Sequence, residues 1–199
     1  MSQKLRVAVP VALALSLSGC AGLLGGGAKA PPWLLTLTPQ APAPESISRT
    51  AGPGEAVTID LPVVPKEVKT NRIPVHSGPT AIAYVKDLTW VDTPDKLFQN
   101  LLEETVRRTT NRVVVDPNQT GLDAGVVLHG ELERFGYDAQ TGQVTVAYNG
   151  SLSSPDGTQV QTRRFVATAP ADGTGPSVGP ALNHAANEVA QQVAQWIGG

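Results

Sequence analysis

Gly125–Ala169 reads GVVLHGELERFGYDAQTGQVTVAYNGSLSSPDGTQVQTRRFVATA. It contains three runs rich in valine, threonine and aromatic residues, Gly125–Tyr137, Gln143–Ser153 and Thr158–Ala169, separated by two clusters of turn formers. Asp138-Ala139-Gln140-Thr141-Gly142 and Pro155-Asp156-Gly157 have the short, glycine-containing form of hairpin connections. Strands joined by such short turns must run antiparallel, so this stretch predicts a three-stranded meander, the most clearly specified part of the chain.

On the C-terminal side, Pro170–Gly179 is a Gly/Pro loop, and Ser177 is placed to cap a helix over 178–197. Leu182, Ala185, Ala186, Val189, Val193, Trp196 and Ile197 form the apolar stripe of that helix. On the N-terminal side, Arg112–Asp116 (RVVVD) is a short strand candidate closed by the turn formers Pro117, Asn118 and Gly121. Further upstream, Thr93-Pro94 is a helix start, with Thr93 as N-cap, Pro94 at the first helical position and Asp95 in the first turn. Leu97, Phe98, Leu101, Leu102 and Thr105 recur on one face of a helix running to about Thr110. Arg107, Arg108 and Arg112 near its end read as solvated charges complementing the helix dipole rather than as a phosphate patch.

Thr80–Trp90 alternates as a strand that puts Ile82, Tyr84 and Lys86 on one face. An irregular stretch precedes it to Pro79, and Glu55–Val64 is β-type with its end restricted by Pro62 and Pro65. Pro39–Gly54 is an Ala/Pro/Gly-rich loop unable to build a core, and Trp33–Thr38 (WLLTLT) is a short β-prone run. The order β-β-β-α-β-β-β-β-α lacks strict βαβ alternation. It predicts an α+β fold: a single twisted, mixed, largely antiparallel sheet with two amphipathic helices packed on one face.

The 199 residues, 41% of them hydrophobic, suit one domain with a real core. A formal charge of −2 gives no reason to expect nucleic acid as a partner. One cysteine allows neither an internal disulfide nor a cysteine-based zinc site, so Cys20 must act alone or between chains.

Its neighbours say how. Lys4 and Arg6 form a basic n-region and Val7–Leu17 an apolar h-region. That run is too short to span a bilayer, which takes about 20 apolar residues, and Pro10 interrupts it. It ends in Leu17-Ser18-Gly19-Cys20, which resembles the lipobox of bacterial lipoproteins. Sulfur is the nucleophile such a site needs to take a diacylglycerol as a thioether. Each buried CH₂ of an acyl chain contributes about 0.8 kcal/mol, so two or three chains of palmitate type hold durably where one holds marginally. Loss of Met1–Gly19, which carry Lys4 and Arg6, leaves 180 residues and moves the net charge from −2 to −4. Ala21 stands where inner-membrane retention in many Gram-negative lipoproteins uses aspartate, so outer-membrane sorting is expected. Residues 20–32 read as lipidated cysteine plus flexible tether, Gly22–Pro32 spanning about 35 Å at most. Residues 33–199 form the domain.

No catalytic constellation emerges. His76, His129 and His184 fall in a loop, a strand and a helix without ligand spacing. Glu131 and Glu133 flank Leu132 and read as the solvent face of a strand rather than a carboxylate pair. Gly173–Gly179 precedes a helix, but its last glycine is one residue late for a dinucleotide loop and no strand follows. Asn149-Gly150-Ser151 lacks the flanks of a nucleophile elbow. This sequence and Asn118-Gln119-Thr120 also match glycosylation acceptors, without meaning in a bacterial lipoprotein.

Taken in order, the pieces resemble the ABC-type transport auxiliary lipoprotein family, which includes lipoprotein subunits of MCE-type and paraquat-inducible systems. They are the lipobox, the Trp33–Leu37 opening strand, Val64-Pro65 leading to Asn71-Arg72-Ile73, Ile82-Ala83-Tyr84, and Trp90 with Thr93-Pro94 and Leu97-Phe98. A Leu128-x-x-x-Leu132-x-x-Phe135 strand and a helix ending at Trp196 follow. The Val68–Ile73 run departs from the family's Leu-Asp-Arg-Pro-Gln-Ile pattern, keeping its apolar ends.

The resemblance implies a non-enzymatic, outer-membrane-anchored, periplasm-facing subunit of an intermembrane lipid transport system. Its partners would be an MCE-domain protein and an inner-membrane ABC permease and ATPase, and a homo-oligomer is compatible with it. The chain has no P-loop, so ATP hydrolysis would belong to another subunit. No cofactor or metal is implied beyond the covalent lipid on Cys20. Trp33, Tyr84 and Trp90 are the candidates for partner or lipid contact, with core packing as the competing role. The alternative is an envelope assembly or structural lipoprotein acting on other outer-membrane components.

Overall fold

In the computed structural model the described residues are 33–46, 48–116 and 125–198. The expected signal segment with Leu17, Ser18 and Gly19, the expected lipid site Cys20 and tether, and the turn expected at Pro117–Gly121 lie outside them. Seven strands and two helices follow in the order β1 (Val57–Ile59), β2 (Arg72–His76), β3 (Ile82–Thr89), α1 (Pro94–Thr109), β4 (Val114–Val115), β5 (Val126–Asp138), β6 (Gln143–Ser153), β7 (Val160–Pro170) and α2 (Gly175–Gly198). They form one mixed seven-stranded sheet with both helices on one face, the expected α+β class.

The meander is its centre. β5 pairs antiparallel with β6, and β6 with β7, over their full lengths. Gly142 and Gly157, at φ 66° and 67°, take the left-handed conformation that the two turns require. The other side of the long β5 is shared: β1 lies parallel to its first residues and β2 parallel to its last. Beyond them, β4 pairs with β1 and β3 with β2. A bulge between Leu132 and Arg134 inserts Glu133 as an extra residue. It keeps Leu128, Leu132, Phe135 and Tyr137 on the core face, which is why the apolar spacing shortens to three between Leu132 and Phe135.

The helices bury the stripes read from the sequence. Leu97, Phe98, Leu101, Leu102 and Thr105 of α1 and Leu182, Ala185, Ala186, Val189, Val193 and Ile197 of α2 are all buried. Rings run through the core from Phe98 to Tyr148 (5.4 Å between centroids), Phe165 and Trp196. The Tyr148 hydroxyl reaches the His129 carbonyl at 3.3 Å, and burial, followed by the nearby Asp60 charge, raises its pKa. A Cβ on Gly130 would lie 2.2 Å from the Tyr148 oxygen, so only glycine fits there.

Four local expectations are corrected. Trp33–Thr38 is no strand: it makes a single parallel bridge, Leu35 to Trp90, and then leaves the sheet. Arg72–His76, expected to be irregular and with His76 in a loop, is β2. Pro74 is tolerated there because the register against β3 shifts beside it and because its other neighbour is Gly136, where a Cβ would meet the Pro74 carbonyl at 2.6 Å. Thr93 precedes α1 in extended conformation, but its hydroxyl makes no cap; the Asp92 carboxylate accepts the Thr93 N–H and pairs with Lys96. α2 begins at Gly175 rather than Val178, so Ser177 lies inside its first turn and accepts the Asp172 N–H.

Candidate interaction surface

The described residues of 33–50 carry no helix or strand, yet they do not hang free. They form a strap across the helical layer, from the N-terminal ends of α1 and α2 to their C-terminal ends. Leu35 lies against Gly179 in the first turns of α2, where a Cβ would come within 3.0 Å of its side chain. The Asn183 side chain accepts the Thr38 N–H (2.8 Å). The Asn187 amide accepts the Gln40 N–H (2.7 Å) and donates to the Thr38 carbonyl (3.0 Å). Farther along, Arg108 donates to the Ala41 carbonyl, and Arg49 to the carbonyls of Arg107 in the last turn of α1 and of Arg112 just past it.

A backbone leaving the sheet must find other partners for its N–H and C=O groups, and here side-chain amides supply them. Asn187 is only 2% exposed, a buried polar residue on an otherwise apolar stripe. Leu37 and Ala41 are buried with it, and Ala41 lies in the Pro39–Gly54 loop that was expected to build no core. Sequence reasoning missed both asparagines. Their signal is spacing: Asn183 and Asn187 sit four apart among alanines and valines on the buried side of α2.

At the strap's start, the Leu35 N–H bonds the Thr89 carbonyl and the Val91 N–H bonds the Leu35 carbonyl. Trp33, Leu34 and Val91 are 59%, 52% and 52% exposed there, a small apolar patch where the strap joins residues 1–32. The three contact candidates are not brought together. Trp33 belongs to this patch. Trp90 is 1% exposed and packs on Phe135 at 5.5 Å, so it is a core residue that no partner reaches, a correction to its reading as a contact. Tyr84 is half-buried on the outer face of β3, with the Arg72 guanidinium 4.1 Å above its ring.

The chemistry of catalysis is not assembled among the described residues. They contain no group of three metal-binding side chains. His129 pairs with Asp60 (2.7 Å), and Glu133 takes Arg164 (2.8 Å) and the Asn149 amide, so Glu133 serves an ion pair rather than an acid–base dyad. The Gly173–Gly179 stretch, most of it the start of α2, has an anion beside it: the Asp172 carboxylate accepts the Thr174 N–H and hydroxyl, and these bonds lower its pKa. A phosphate would meet a like charge there. Arg107 and Arg108 pair with Glu103 and Glu104 one turn back, as helix-surface charges do. No described helix is long and apolar enough to cross a membrane.

The family model for the ABC-type transport auxiliary lipoprotein component matches residues 35–194, most of the chain. The chain belongs to this family. The ABC-type transport auxiliary lipoproteins are envelope proteins associated with an ABC transport system, and this chain is a transport-related lipoprotein of that kind. No curated protein matches it in sequence. A crystal structure of a DUF330-family protein from Xanthomonas campestris is similar, with 16% identity over 82% of this chain and 94% of that one, at a TM-score of 0.68. A second solved structure, of an uncharacterised protein, has 15% identity over 75% of this chain and 96% of that one, at a TM-score of 0.61. At such identities the likeness establishes a shared fold.

Proposed function

We propose that this auxiliary lipoprotein is a non-enzymatic docking subunit of an MCE-type intermembrane lipid transport system. It is held at the periplasmic face of the outer membrane by lipid on Cys20. The observation that supports a docking role is the strap. The first described segment after the lipobox and tether is fastened along both helices by Asn183, Asn187, Arg108 and Arg49. A load on the anchor is thereby passed to the helical layer and not to a loose loop, which suits a subunit that receives the end of a larger machine. Trp33 and Leu34, beside Val91, are the residues proposed to touch lipid or a partner at the anchored end, as amphipathic tryptophan does at membrane interfaces. Tyr84 is proposed as a partner contact on the outer face.

Crosslinking in intact cells followed by purification of the full lipoprotein tests the assignment. Recovery of an MCE-domain protein and ABC permease is expected. Recovery of outer-membrane assembly factors alone, with phospholipid distribution unchanged on deletion, would move the protein to the assembly or structural reading. For the anchor, Cys20→Ala is expected to abolish lipid labelling and membrane retention, and unchanged labelling refutes the lipid site.

A further inference from the structure

The sheet has three outer margins, and they are managed differently. β4 ends one with two residues. β3 ends another with a break in register, a left-handed Asp87 (φ 54°) and the Leu35 bridge at Trp90. Short, bulged or covered margins resist pairing with foreign strands. β7 has none of these protections. Its eleven residues keep unbroken register with β6, and among the described residues nothing pairs with its other side.

Its charge is one-sided. β7 (VQTRRFVATAP) has two arginines and no acid. Arg164, on the open face, is taken by Glu133. Arg163 points to the side of Phe165 and α2, its guanidinium 5.2 Å from the Phe165 ring centroid, and has no carboxylate partner among the described residues. With Gln161, Gln192, Gln195 and Trp196 it lines an open groove of about 480 Å³ along the edge. Among the described residues the groove therefore offers a cation without a carboxylate, flanked by neutral amides and an aromatic ring.

These observations select the occupant. Two β7 strands paired antiparallel at full overlap would set Arg163 opposite Ala167 and leave each Arg163 guanidinium without a carboxylate. Residues 1–32 of the chain itself contain no aspartate or glutamate. We infer that the β7 edge receives an extended acidic segment of a partner protein, which adds as an eighth strand and sets a carboxylate on Arg163. Main-chain bonds to the edge supply affinity, and the alternate side chains that fall on the groove side supply selectivity. The inference stands apart from the transport reading, since its test needs no transport component.

The test uses the full lipoprotein in detergent micelles and two synthetic eleven-residue peptides. Each alternates threonine and valine, one with a central glutamate and the other with lysine there. The glutamate peptide is expected to slow amide exchange at alternate β7 positions, to leave β3 unchanged, and to bind about tenfold tighter than the lysine peptide. Arg163→Gln should bring that ratio to about one, and Arg163→Lys should keep most of it, both with an unchanged urea midpoint. Equal affinity for the two peptides overturns the inference, as does protection elsewhere than β7. So does a dimer that protects β7 without any peptide.

Discussion

The β5–β7 meander and the Trp33–Thr50 strap cover the same two helices from opposite sides, and they satisfy their backbones in opposite ways. In the meander every strand draws its partners from another strand. In the strap, past its backbone bridge at Leu35, the partners are the side chains of Asn183, Asn187 and Arg108. The obligation to pair buried N–H and C=O groups is identical. A ladder is repetitive and visible as alternation, whereas a clamp rests on a few residues. Damage to the meander should therefore unfold the domain, and damage to the clamp should release one segment.

The largest effect is expected at Gly130→Val. Its Cβ would meet the Tyr148 ring at 2.2–2.5 Å, in a core that already holds Phe98 and Phe165 against that ring. Overpacking of this kind costs about 3 kcal/mol, read as a fall in the urea midpoint with an unchanged slope. A cost near zero would mean that the Tyr148 side chain swings clear, and that the meander is looser than its register implies.

Next is Asn187→Leu, which keeps the volume but strips partners from the Gln40 N–H and the Thr38 carbonyl. Leaving such partly buried groups unpaired costs about 1 kcal/mol. The decisive reading is local: amide exchange should rise at residues 38–41 and stay slow in β5 and β6. If exchange rises equally in both regions, strap and meander form one cooperative unit and the contrast between them fails. Asn183→Ala, at a more exposed contact, should show the same pattern at about 1 kcal/mol or less.

The same contrast governs what was legible in the sequence. The meander, both helices and their buried faces could be read because alternation, glycine turns and helical spacing are repeated signals. β2 could not, since Pro74 argues against a strand until Gly136 is seen beside it. The strap was illegible because its partners lie about 145 residues away in a helix that already had a reading. Of the contact candidates, Trp90 could not be separated from Trp33 by residue type; only burial, 1% against 59%, divides them. Arg163 stood unremarked in β7 because the lack of a carboxylate beside it among the described residues is a fact of three dimensions.

The smallest expected effect separates the two regions by pH. In the β6–β7 turn, the Asp156 carboxylate accepts the Ser154 and Thr158 hydroxyls and the Thr158 N–H, and these bonds, the Ser154 bond first, hold its pKa down to about 2. A depressed folded-state pKa favours the folded turn above the ordinary value of 3.8, and that contribution is lost as pH falls from there through about 2. The Thr158 amide should therefore lose protection across that window, and Asp156→Asn should remove the dependence. The clamp behaves differently because the amides of Asn183 and Asn187 do not titrate, so the Thr38 and Gln40 amides should show no transition there. Carboxyl and amide NMR followed from pH 5 to 2 reads both regions in one sample. A flat Thr158 profile would deny the carboxylate its place in the turn. A Gln40 transition that follows Asp156 would show that the strap senses the meander's far turn, and would replace two independent devices with one.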